Sequence, residues 1–341
     1  MRRLVKTLVA GSLALCGVHA SAADKLVVSS WGGAWKDLIE QTIAATFTKE
    51  TGIPVEFVTG GTVDRLAKAK VNGSNPESDV TLTTEHVAWL YASDNLLLPL
   101  DMSKLPHAKT LFREAVTGSN CLGQYSYVYS IVYRPDLVPN SDFASWKDLW
   151  NPAYKGKIGL PDFDPSHIIV VSARLSGSDA EHWQKGTALL RELKPNIRSF
   201  YSTDAVSQEK VANGETPIQV MLSGNYYYLK KQNVNVRMAM PKEGAVAGVN
   251  CIAINNGTKM ADAAYKFLDI AFRPDVQGAI AKKMLVGPMT SDAQVPKDVA
   301  KLPGIFTTQE QWKNAIVIDP KLRAKLLPEW RTWFTENMVR K

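Results

Sequence analysis

Three short segments set bare or hydroxyl-bearing residues where an apolar run passes into a helical pattern: "SSWGGAW" (29–35), "TGGTVD" (59–64) and "TLTTEHV" (81–87). In an open parallel sheet the strand carboxyl ends form one rim, where ligands bind and the free N–H groups of helix starts accept anionic oxygens. Gly32, Gly33, Gly60 and Gly61 let ligand atoms approach the backbone there, and Thr83 and Thr84 add hydroxyls. Any one segment also reads as threonine capping or a turn glycine; three on one rim point to a binding site. Trp31 offers a wall for an alkyl or cationic group. Trp35, four residues later, falls on a helical apolar stripe and is expected in the core.

Asp162 and Asp164 in "GLPDFDPSH" follow a strand end and stand near His167. Two carboxylates and one histidine fall short of a metal ligand set, so no metal is expected; one of the acids is read as a counter-charge for an ammonium. In "SGNYYYLKK" (223–231), Tyr226 and Tyr227 could ligate ferric iron as phenolates. Consecutive tyrosines at a helix start also commonly divide between core and surface. Catalytic signatures are missing: there is no Gly-x-Ser-x-Gly, His-Glu-x-x-His or phosphate-loop lysine, and Cys121 has no recognisable histidine partner. Neither a catalytic residue nor a cofactor is expected.

The elements that would position these residues alternate. Trp35, Ile39, Ile43 and Phe47 mark a helix over 34–49 that Gly52 ends. Strand, helix, strand and helix follow over 53–60, 62–71, 78–84 and 85–94, the rhythm of a parallel sheet covered on both faces. "QYSYVYSIVYRPDLVP" (124–139) alternates strictly, with Tyr125, Tyr127, Tyr129, Ile131 and Tyr133 on one face, and reads as a long strand leaving the first lobe. A second series follows, with strands near 157–161, 217–222, 234–240 and 249–254 and helices near 166–176, 181–193, 204–213 and 225–232. Helices over 259–272, 274–284 and 320–337 finish the chain. No Pro/Ser linker separates the halves, so strands rather than a tether join them, which suits hinge closure.

Residues 1–23 run from basic (Arg2, Arg3, Lys6) through apolar to small residues, the order of a secretory signal peptide. The apolar part is about half the ~20 residues of a membrane span, and the leucine before Cys16 fits lipoprotein processing poorly. Cleavage would lower the formal charge from +7 to +4 (7 minus 3) and leave 318 residues (341 minus 23). That charge excludes a nucleic-acid binder, and that length suits two lobes with a core each. Cys121 and Cys251 would remain; they either pair in an oxidising compartment or stay free, because pairing depends on a separation that spacing does not give.

The stretches "KLVVSSWGG", "TGIPVEFV", "SDVTLTTEHVAWLYASDNLLLPLD", "SWKDLWNPAYKGKIGLPD", "ANGETPIQVMLSGN", "MPKEGAVAGVNCIAI" and "AAYKFLDIAFRPDVQGAIAKKMLVGP", in this order, resemble the periplasmic solute-binding proteins of ABC importers, in particular the spermidine/putrescine-binding branch. The resemblance covers about 25–290. It implies an α/β, two-lobed (type II) fold with two crossing hinge strands, lobe 1 from 24–125 plus about 253–300 and lobe 2 from 126–252 plus about 301–341. It also implies a monomer in the periplasm that delivers a small-molecule ligand to a membrane permease and its ATPase. Trp31, the hydroxyls near Thr83 and Thr84, and an acid at Asp162 or its neighbour match the polyamine pattern. After Pro-Lys-Glu-Gly, however, that pattern has a tryptophan and then an aspartate where this chain has Gly248 and Asn250, and a further tryptophan stands here as Leu222. Losing one of two carboxylate anchors weakens a diamine site by several kcal/mol. The expected ligand is therefore a small nitrogenous solute, a polyamine-like amine or a zwitterion such as an amino-carboxylate, held by Trp31, Gly32, Gly33, Gly61, Thr83, Thr84, Asp162, Tyr226, Gly248 and Asn250. Ferric-binding relatives match at Tyr226 and Tyr227 but lack here an early histidine or glutamate; a secreted enzyme on the same fold is the further alternative.

Overall fold

The computed structural model describes residues 25–139 and 141–340; the signal-peptide reading lies outside them. Eleven strands form one sheet: β1 (Leu26–Ser30), β2 (Val55–Thr59), β3 (Val80–Thr84), β4 (Leu122–Tyr133), β5 (Ile158–Pro161), β6 (Ile197–Tyr201), β7 (Ile218–Leu222), β8 (Arg237–Met238), β9 (Val246–Ile254), β10 (Gly287–Pro288) and β11 (Ile316–Val317). The main order is β2-β1-β3-β9-β4-β7-β5-β6. At each end three strands run parallel, β2-β1-β3 and β7-β5-β6, while β9 and β4 between them pair antiparallel with each other and with their outer neighbours.

The two central strands feed both of the two largest cores. Leu122 and Tyr125 of β4 and Ile252 and Ile254 of β9 pack with Leu26, Ile43, Phe47 and Phe267 in the first core. Farther along, Tyr129, Ile131 and Tyr133 of β4 and Val246 of β9 pack with Trp146, Ile169 and Trp330 in the second. These are the two crossing strands of a two-lobed α/β fold.

The elements follow the sequence pattern with local departures. The first helix contains a π turn, Glu40–Ala44, between Ala34–Ile39 and Ala45–Thr51, and Gly52 closes it in the left-handed conformation at φ 74°. The long strand stops at Tyr133 rather than 139 because Arg134-Pro135 cannot continue the ladder. The strand expected near 234–240 shrinks to Arg237–Met238, and β9 begins three residues before the expected 249. β6, unmarked by the sequence reading, is an edge strand whose first residues are only partly buried, so its alternation is weak. Cys121 and Cys251 form a disulfide, with Cα atoms 5.6 Å apart. The tail helix, Pro320–Phe334, packs on both Glu85–Ser93 and Ser166–Leu175, so it touches the helices that flank each core.

Candidate ligand-binding site

A cavity of about 370 Å³ opens between the two cores, a size typical of small-molecule sites. Its lobe-1 wall follows from strand register: Thr84 of β3 stands opposite Asn250 of β9, which stands opposite Tyr125 of β4. The Asn250 side-chain amide donates to the Tyr125 hydroxyl. Asn250 Oδ1 and Thr84 Oγ1 are buried and have no protein partner among the described residues. Trp35 stacks on Tyr125 with ring centroids 4.5 Å apart and planes at 9°. Trp31 completes this wall. Its indole N–H donates to Thr62 Oγ1 at 2.8 Å, and one face lies 5.2 Å from the Arg65 guanidinium, which is itself held by Ser29 Oγ, Gly60 O and Leu82 O.

Beside the same cavity lies a buried charged cluster. Arg323, from the tail helix, donates Nη1 to Glu85 Oε1 at 3.0 Å and Nη2 to Asp164 Oδ2. The second oxygen of each acid is also engaged, Glu85 Oε2 by the Val249 N–H at 3.1 Å and Asp164 Oδ1 by the Ser166 N–H at 3.1 Å. His167 stacks on Tyr129 at 3.7 Å, with Nε2 3.4 Å from Arg323. Burial alone would raise both carboxyls; at Asp164, Arg323 and the two nearby histidines win and hold it well below its usual range, whereas Glu85 stays raised despite Arg323. Burial pushes His167 down to about 4, against the pull of Asp164, and holds His86 well below its ordinary value. Asp204 and Arg331, both exposed, stand at the cavity's edge.

The sequence pattern of the bacterial extracellular solute-binding proteins matches residues 42–307. The chain belongs to that family. Among characterised relatives, the putrescine-binding periplasmic protein PotF of Escherichia coli is 26% identical over 94% of this chain and 95% of its own length. The spermidine/putrescine-binding periplasmic protein 1 of Haemophilus influenzae is 25% identical over 82% and 81%. An ABC transporter structure from Clostridium perfringens superposes with a TM-score of 0.81 at 27% identity, covering 92% of this chain and all of that one.

Of the residues the sequence singled out, this solute-binding protein brings Trp31, Thr84 and Asn250 together around the cavity. Others stand elsewhere. Thr83 points to the opposite face by strand alternation and is buried. Gly61 opens the helix Thr62–Asn72, but Thr62 rather than Gly61 borders the cavity. Gly32 and Gly33 are exposed; Gly33, at φ 61°, makes the left-handed turn that starts the Trp35 helix, so it shapes the wall without lining it. Gly248 does not border the cavity, and the Tyr127 ring lies against it.

The acid on the cavity is Asp164; Asp162 turns away and accepts from Ser202 Oγ at 3.0 Å. Asp164 pairs with the chain's own Arg323 guanidinium. Tyr226 packs edge-on against Tyr227, whose hydroxyl donates to the Pro303 carbonyl at 2.6 Å. That pair does not border the cavity, and the similarity to putrescine- and spermidine/putrescine-binding proteins supports the solute reading over the iron one. Trp35 packs against the first core, as expected, and also lines the cavity.

Sequence reading missed Arg323, Glu85 and Asp204. Arg323 did leave a signal: it shares a helical stripe with Leu327, Trp330 and Phe334, all buried, and a cation on an apolar stripe requires a buried partner.

Proposed function

We propose that this protein is the periplasmic substrate-binding component of an ABC importer, capturing a small nitrogenous organic solute between its lobes and handing it to a permease without changing it chemically. The ligand is a polyamine-like amine or a zwitterion. The observation that carries the reading is the interlobe cavity, with the aromatic pair Trp35–Tyr125 and Trp31 on one side and the Asp204 carboxylate on the other. Aromatic faces and carboxylates together suit an alkylammonium group. The named relatives, two of them putrescine or spermidine/putrescine binders, support the same class. The cores also support a lobe division in which β4 passes from one to the other between Tyr125 and Tyr129 and β9 between Val246 and Ile252.

A melting-temperature screen of the mature protein against amines, amino acids and ferric citrate tests this. A ligand at 100 times its dissociation constant adds about 2.7 kcal/mol of stability, a readily visible shift. Stabilisation by a nitrogenous solute, lost when Trp35 is changed to Ala, is expected; stabilisation by ferric citrate alone would overturn the reading.

A further inference from the structure

The two buried carboxylates beside the cavity are already taken. All four oxygens of Glu85 and Asp164 accept hydrogen bonds from within the chain, and one guanidinium, that of Arg323, pairs with both. A linear diamine needs an acid at each end, because an ammonium removed from water without a paired charge costs several kcal/mol. The cavity has one further acid, Asp204, which accepts only the Asn225 amide at 2.8 Å among the described residues. On the donor side, Arg323 Nε is buried without an acceptor and Arg331 stands at the edge. The wall opposite, Thr84 and Asn250, is neutral and has unused polar atoms. One accessible acid with spare guanidinium donors complements a molecule with one ammonium and one acidic or neutral polar end.

We propose that Arg323 sets the ligand class: it stands in for a second ammonium ion inside the protein, so the site takes an amino-carboxylate or other monoammonium solute and rejects diamines. This rests on the solute-capture reading above. Replacing the guanidinium by a neutral group vacates Glu85 and Asp164 and turns the cavity into a diamine site; a lysine keeps the internal cation and the exclusion.

Putrescine and 4-aminobutyrate share a four-carbon chain and differ at one end, ammonium against carboxylate. Titration calorimetry of both, with spermidine and the common amino acids, on the wild type, R323Q and R323K reads the proposal. The expected result is at least a tenfold gain in putrescine affinity for R323Q over wild type, with R323K behaving as wild type. Should R323Q not fold, R323Q combined with E85Q removes the orphaned charge, leaves Asp164 for the second ammonium, and is expected to show the same gain. Submicromolar putrescine binding by the wild type, or a folded neutral variant that binds a solute yet gains nothing for putrescine, overturns the role of Arg323 and leaves solute capture standing. A response to no member of the panel by wild type or variants overturns both.

Discussion

Gly248 and Tyr127 settle one question of residue chemistry together. A Cβ on residue 248 would lie 2.5 Å from the tip of the Tyr127 ring, a half-buried ring that packs against both cores and lines the cavity. The ring therefore fills, from β4, the space a large side chain on β9 would claim, and the two positions are alternatives. Gly248→Ala should cost about 1–3 kcal/mol through overpacking, read as a lower denaturant midpoint at unchanged slope. Pairing it with Tyr127→Ala should recover part of that loss. Equal stability of G248A and wild type would mean the ring is not confined. At this scale the sequence showed that a tryptophan was missing at 248. It could not show what replaced it, because the replacement lies 121 positions away (248 minus 127) and meets Gly248 only through antiparallel pairing.

Among the elements, β4 and β9 do most to join the molecule, and the disulfide ties them at their first-core ends, where Gly123 pairs with Cys251. The bridge closes a loop of 130 residues that contains most of the second core. In the chain-entropy account, closing so long a loop in the unfolded state is worth about 2–4 kcal/mol or somewhat more. A Cys121→Ala, Cys251→Ala double variant should therefore unfold at a clearly lower denaturant concentration, and a reductant should lower the wild type towards it but leave the variant unmoved. A reductant-insensitive wild type would show that the thiols do not pair. The alternation of β4 and the strand–helix rhythm of both halves were legible because buried faces impose a period on long runs. The pairing of these cysteines, the edge strand β6 and the antiparallel placement of β9 beside β4 were not, because each depends on partners remote in sequence. For the same reason the cavity was only half legible: Trp31 and Thr84 stand at strand ends and Asn250 within β9, while the guanidinium of its charged cluster, Arg323, comes from the tail helix, outside the stretch that resembles the family.

On the scale of the whole molecule, the cluster of Glu85, Asp164, His86, His167 and Arg323 is where the two halves and the tail helix meet, and it makes stability depend on pH. His167 titrates near 4 in the folded protein, against an ordinary value near 6.5 in the unfolded chain. A depressed folded value contributes stability that is full above the unfolded value and is lost as pH falls towards the folded one. The gap from 6.5 to about 4, at ~1.4 kcal/mol per pH unit, amounts to roughly 3 kcal/mol for this one group. His86 acts in the same direction, held down by burial and by Arg323. Asp164, also depressed, extends the loss to lower pH. Glu85 opposes them, since a raised carboxyl favours the folded state as pH falls, but it is one group against two histidines across pH 6.5 to 5. The melting temperature should therefore drop through that window, and less steeply in His167→Gln, which removes one of the two depressed imidazoles without adding a charge. A melting temperature flat from pH 7 to 5, or an equal slope in H167Q, would show that these histidines are not held neutral by the fold.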